Sequence, residues 1–154
     1  MDRKLFINEK VRHCYWDLNI NCASTVLKTL AAVTGITISQ QVIAAAKGMH
    51  GAGGAGEQCG LVEGMLMFLG VYGTEQGRTN KQIAAQCSEF AKEFTKRFSS
   101  VSCSVLRPEG FTDDNPPHLC EGLTVRAIEF AVDFLKQEYP GECRSWRNAD
   151  PISA

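Results

Sequence analysis

The sequence predicts an all-α protein: a single-domain bundle of about five to six helices, with a Gly-rich loop before a buried central helix. Apolar residues recur at helical spacing through most of the chain. No alternating Val/Ile/Thr/Tyr run is long enough for a strand; the nearest, Thr34 to Ile38, is too short to seed a sheet. Good N-cap residues (Asn21, Ser39 and Thr79) stand where periodic stretches begin.

The elements follow in order. Asp2 to Trp16 is weakly periodic through Leu5, Phe6, Val11, Tyr15 and Trp16, and reads as a helix. From Cys22 to Val33, Cys22, Val26 and Leu30 lie on one face with Ala23, Leu27 and Ala31 beside them; Asn21 caps the start and Gly35 stops it. A third helix starts at Ser39 and runs through Val42, Ile43 and Ala46 to Gly48. Gly51 to Gly56 is a tight loop. The fourth helix follows with Leu61, Val62, Met65, Leu66, Phe68 and Leu69, and closes near Gly70 or Gly73; apolar nearly all round, it is the expected centre. Thr79 and Gln82 form a capping box for a fifth helix striped by Ile83, Cys87, Phe90, Phe94 and Phe98. Ser99 to Ser104 breaks the pattern. Asp113 to Pro117 is a turn and helix start. The sixth helix then shows Cys120, Leu123, Ala127, Phe130, Ala131 and Phe134 and ends at Pro140-Gly141. Residues 1–142 form one helical domain and 143–154 a loose tail.

Composition narrows the function. With 154 residues, 44% apolar and 21% charged, the chain can bury one core. Sixteen basic and 17 acidic residues give a net charge of −1, with no basic stripe for nucleic acid. No apolar run reaches the ~18–20 residues of a membrane span. Met1 to Lys10 lacks a secretory apolar region, so the expected compartment is the cytoplasm. There the seven cysteines, an odd number, are expected reduced rather than in a disulfide framework.

Cys22, Cys59 and Cys120 fall at helix starts, and Cys103 lies in the break between the fifth and sixth helices. Unpaired amide N–H groups and the helix dipole favour an anion at such a start, so these thiols are expected to ionise more readily than usual. The thiolate is both nucleophile and metal ligand. The competing explanation is that unpaired cysteine often serves as a small hydrophobe. Cys87 fits it best, on the Phe90/Phe94 stripe; Cys14 and Cys143 look incidental.

The same residues carry a resemblance. Asn21-Cys22-Ala23 opens a helix; Cys59-Gly60-Leu61-Val62-Glu63-Gly64 follows the glycine loop and leads into Met65 to Gly70. Arg97-Phe98 precedes Val101-Ser102-Cys103-Ser104-Val105-Leu106, and Cys120 comes last. Spacings are 37 residues from Cys22 to Cys59, 44 on to Cys103 and 17 on to Cys120. Over roughly residues 15–135 this is similar to the redox-active protein family written C-GCAxxG-C-C after its four cysteines. That pattern places Ala-x-x-Gly directly after the second cysteine, whereas here Gly60 follows and Gly64 lies five positions on. The resemblance implies a small helical protein with a redox or metal role for Cys22, Cys59, Cys103 and Cys120. Some relatives carry this domain beside c-type haem segments; this chain has no Cys-x-x-Cys-His, so covalent haem is not expected.

Four thiolates are the usual complement of an iron–sulfur cluster, with [2Fe–2S] the simplest. Gly53, Gly54, Gly56 and Gly60 would let backbone amides approach its sulfurs. The alternatives are thiol–disulfide exchange without metal, zinc, disfavoured by the lack of short Cys-x2-4-Cys knuckles, and a non-catalytic helical interaction module. An exposed apolar face on the fifth helix would favour the module. Gly51, Gly53 and Gly56 satisfy G-x-G-x-x-G, but a helix precedes them rather than a strand, so no nucleotide is expected. His118 lies two residues before Cys120 and could ligate or assist; His13 and His50 carry no such signal. Glu57 and Glu63 flank Cys59 and could orient a ligand. No spacing defends a hydrolase, so an enzymatic role would be that of an oxidoreductase. The expected partner is a redox protein, with a homodimer allowed for, and neither nucleic acid nor membrane.

Overall fold

Capping and burial set the helices, and the computed structural model describes residues 2–110, 118–141 and 150–152. Helix α1 (Arg3–Arg12) runs straight into a π-helical turn, His13–Asp17. Helix α2 spans Cys22–Thr34, α3 Gln40–Ala45 with a 3₁₀ turn at Ala46–Gly48, and α4 is one irregular turn, Gly51–Gly54. The long helices α5 (Gly60–Glu75) and α6 (Asn80–Phe98) follow, then the single turn α7 (Cys103–Leu106) and α8 (Glu121–Glu138). The fold is all-α.

The expected caps form. Asn21 Oδ1 accepts the Ser24 N–H at 2.9 Å, and Gly35 closes α2 at φ 79°. Thr79 and Gln82 make the reciprocal capping box, at 3.2 and 2.9 Å. Two boundaries differ from the sequence reading. Helix α5 does not close at Gly70 or Gly73 but continues to Glu75. An ideal Cβ at Gly73 would meet Ile83 Cγ1 at 2.8 Å, so that glycine serves a close approach between α5 and α6. Within the 99–104 break, the chain makes an isolated antiparallel bridge, Gln58 to Ser102, and then the turn α7. The helix start expected at Asp113 to Pro117 lies outside the described residues, as does Cys143. Cys120 is the N-cap of α8 rather than a first-turn residue.

Helix α5 is the buried centre and packs on α2, α6 and α8, while α1 packs on α8. Gly64 permits the α2–α5 approach, since a Cβ there would stand 2.7 Å from the Ala23 carbonyl oxygen and 2.9 Å from Ala23 Cα. Its offset from the family pattern therefore leaves the close-packing role intact. The α6 stripe of Phe90, Phe94 and Phe98 meets Phe130 and Phe134 of α8 in tilted and edge-on ring contacts. The face that would have suited an interaction module is covered. Among the described residues, no helix is long and apolar enough to cross a membrane.

Candidate functional site

Four chain segments deliver the four cysteines. Cys22 is the first residue of α2, Cys59 caps α5, Cys103 opens α7 and Cys120 caps α8. The Gln58–Ser102 bridge pins two of them: the Cys59 N–H donates to the Val101 carbonyl at 2.7 Å and the Cys103 N–H to the Glu57 carbonyl at 2.6 Å. The third is locked by absence of a side chain. An ideal Cβ at Gly60 would lie 2.2 Å from Cys22 Sγ, so the Cys22 sulfur rests against the backbone beside Cys59. Cys59 and Cys103 are buried; Cys22 and Cys120 are half-buried.

Every pair among Cys22, Cys59, Cys103 and Cys120 is close enough for a charge on one to act on the other. Burial pushes the Cys22 thiol well up, and negative charge at Cys59, Cys120 and Cys103 adds to it, against the Ala23 amide. Cys59 is pushed up to about 12, chiefly by burial and then by Cys103 and Cys120, against the Leu61 and Val62 amides. Burial followed by Cys120 raises Cys103, and the Arg107 guanidinium opposes them. At Cys22, Cys59 and Cys103 this corrects the expectation of readily ionised thiols. The helix-start amides are present, yet desolvation and mutual repulsion outweigh them.

The glycines divide. Gly60 is part of the site by its contact with Cys22. The Gly54 and Gly56 amides donate to the His50 and Gly51 carbonyls, at 2.9 and 3.1 Å. Gly53 has nothing within 4 Å of an ideal Cβ. The amides that reach sulfur are those of Ala23, Leu61 and Val62.

Arg107 carries no signal in the sequence reading, yet it stands beside the sulfurs. Arg107 Nη1 donates to Cys120 Sγ at 3.9 Å, and its Nε to the Gly110 carbonyl at 2.9 Å. A cavity of about 190 Å³ opens beside them, lined by Gly54, Ala55, Gly56, Cys103, Ser104 and Arg107 among others. Asn21 fixes the start of α2 from the other side, its Nδ2 donating to the Ala46 and Lys47 carbonyls at 2.8 and 2.9 Å. Tyr15 is buried near the sulfurs and stacks on His118. Glu63 stands near Cys103 and His50 with Oε2 buried and unbonded, and burial pushes its carboxyl up. Cys14 is buried apart, near Lys10 and Thr25. Cys87 approaches the Leu66 carbonyl at 3.9 Å. His13 pairs with Asp17 at 2.8 Å. Among the described residues, no group of three or more His, Cys, Asp or Glu side chains is set to hold a metal ion.

Compared with known families, residues 20–134 match the one described as "Putative redox-active protein (C_GCAxxG_C_C)". No curated protein and no solved structure matches the chain.

Proposed function

The chain belongs to the C-GCAxxG-C-C redox-active family, and from that premise we propose that Cys22, Cys59, Cys103 and Cys120 together hold an iron–sulfur cluster in an electron carrier or sensor. The observation that carries this reading is the convergence of four thiols, from four helix starts far apart in sequence, within electrostatic reach of one another. The donor set fits the group, since four cysteine thiolates are the usual ligands of [2Fe–2S] and [4Fe–4S] clusters. When bound, such a cluster supplies reversible one-electron chemistry. The amides of Ala23, Leu61 and Val62 would stabilise thiolate at Cys22 and Cys59. The Arg107 guanidinium would do so at Cys103, and its Nη1 also reaches Cys120 Sγ at 3.9 Å.

Two other readings draw less support. A single zinc ion needs its donors gathered around one point, and no three side chains among the described residues are so arranged. Four thiolates divided among several irons escape that demand. Thiol–disulfide exchange needs an attacking thiol that ionises readily, whereas Cys22, Cys59 and Cys103 are all pushed up.

Protein purified without air is expected to be brown, with iron and acid-labile sulfide in equal amounts and little zinc. Serine at any of the four positions lowers the iron content, whereas Cys87→Ser leaves it unchanged. Protein that stays colourless after anaerobic reconstitution with iron and sulfide overturns the proposal.

A further inference from the structure

Tyr15 is the aromatic neighbour of the sulfur site. It is 2% exposed, and charges at Cys22, Cys120 and Cys59 all act on its phenol. The π-helical turn His13–Asp17 carries it there. Such i→i+5 turns are rare and recur at functional sites. The next residue, Trp16, lies on the surface and is 50% exposed.

His118 joins the two. Its ring stacks on Tyr15 with centroids 4.4 Å apart and planes 13° apart. The Trp16 ring meets His118 edge-on, at 5.4 Å and 79°. Three rings therefore run without a gap from the neighbourhood of the sulfurs to solvent. Each outer ring is tied to the start of α8, directly after Cys120. The Tyr15 hydroxyl shares a 2.6 Å hydrogen bond with Thr124 Oγ1, and Trp16 Nε1 donates to Glu121 Oε2 at 2.7 Å. His118 sits at φ 57°, in the left-handed region that histidine, like asparagine, enters more readily than most residues with a β-carbon.

We propose that Tyr15, His118 and Trp16 form the electron route between the four-cysteine site and a redox partner protein, with Trp16 the point of exchange. The inference rests on the cluster reading above. One electron leaves the reduced centre and crosses to a one-electron acceptor outside Trp16. The centre is oxidised, the acceptor is reduced, and no bond forms and no proton moves.

The test uses the full chain, reconstituted and reduced without air, then mixed in a stopped-flow instrument with ferric cytochrome c. That acceptor is too large to enter the cavity beside Cys103, so it takes electrons at the surface. Iron and sulfide content and reduction potential are measured for each variant. Trp16→Ala and His118→Asn are expected to slow haem reduction severalfold at unchanged potential and iron content. Asparagine tolerates the left-handed backbone at 118 while deleting the ring. Trp16→Phe restores a rate near wild type. If both ring-deleting variants react at the wild-type rate, or slow only in proportion to lost iron or a shifted potential, the route is overturned. Wild-type protein that takes up no iron overturns the cluster reading and the route together, and the metal analysis shows this before any rate is measured.

Discussion

Replacing Gly60 with alanine adds one methyl group at the first residue of α5, where the structure leaves no room for it. The new Cβ would stand 2.2 Å from Cys22 Sγ, 2.4 Å from the Met49 carbonyl oxygen and 3.3 Å from His50 Cα. Neither close atom swings away easily. The carbonyl is backbone, and the sulfur sits on the first residue of α2, whose start Asn21 ties to Ala46 and Lys47. Overpacking of this kind costs about 1–3 kcal/mol. Alanine recovers up to about 1 kcal/mol over glycine in a helix, less at its first position. The net expectation is a loss of about 2 kcal/mol, or about 4–8 °C in Tm for a chain of this length. The assay is urea unfolding of reduced, metal-free protein, read as a lower midpoint at unchanged slope, with iron uptake measured alongside. Gly70→Ala is the control: it lies on the same helix with nothing within 4 Å of an ideal Cβ. It is expected to gain about 0.5–1 kcal/mol. A Gly60→Ala protein as stable as wild type, with full iron uptake, refutes the view that the Cys22 sulfur is lodged against this backbone.

Other expectations follow from the same geometry. Asn21→Ala removes the α2 cap and two hydrogen bonds to the Ala46 and Lys47 carbonyls; unfolding should show a loss of about 2–3 kcal/mol. Tyr15→Phe strands the buried Thr124 hydroxyl and should cost about 1–3 kcal/mol in the same assay. Metal-free protein should lose stability as pH rises above about 8.5, where thiols of the unfolded chain ionise. The sign follows because Cys22, Cys59 and Cys103 keep their protons longer when folded, so the native state binds more protons there. For Cys59, raised to about 12, the loss reaches about 1.4 kcal/mol at pH 9.5, and Cys59→Ser should flatten the curve between pH 8 and 10.

Local signals in the sequence were enough for the helices and for the segments that bear the thiols. Asn21 and Thr79 cap where side-chain oxygens follow the chain's own spacing, and the Phe90/Phe94/Phe98 stripe marks one apolar face, which the ring contacts with α8 bury. What stayed hidden depends on contacts between distant segments. The Gln58–Ser102 bridge joins residues 44 apart through backbone groups that carry no residue signature. The π turn at His13–Asp17 leaves no periodicity to read, so Tyr15 looked like one more weak helical apolar residue. Gly70 and Gly73 looked like stops because glycine usually marks them; at Gly73 the reason for glycine is a neighbouring helix, Ile83 at 2.8 Å. Thiol ionisation is harder than the sequence suggests for a related reason. A helix start is visible in sequence, but the desolvation and the three other sulfurs that overrule it are not.

On the proposed cluster reading, those raised thiols also determine how the site should load. A thiol must surrender its proton to become a metal ligand, so loading expels protons and is favoured by higher pH. At Cys22, Cys59 and Cys103 the unfavourable factors are burial and the charge of the neighbouring thiolates. A cationic centre among them would turn the repulsion into attraction, leaving burial alone against the helix-start amides of Ala23, Leu61 and Val62. Iron uptake should therefore strengthen from pH 7 to pH 8.5, over a range where the empty protein gains nothing in stability. Arg107→Gln, which removes the guanidinium that opposes the rise at Cys103, should weaken uptake most at the lower end of that range. Uptake that is flat with pH, or unaffected by Arg107→Gln, would mean that iron binds somewhere other than these sulfurs.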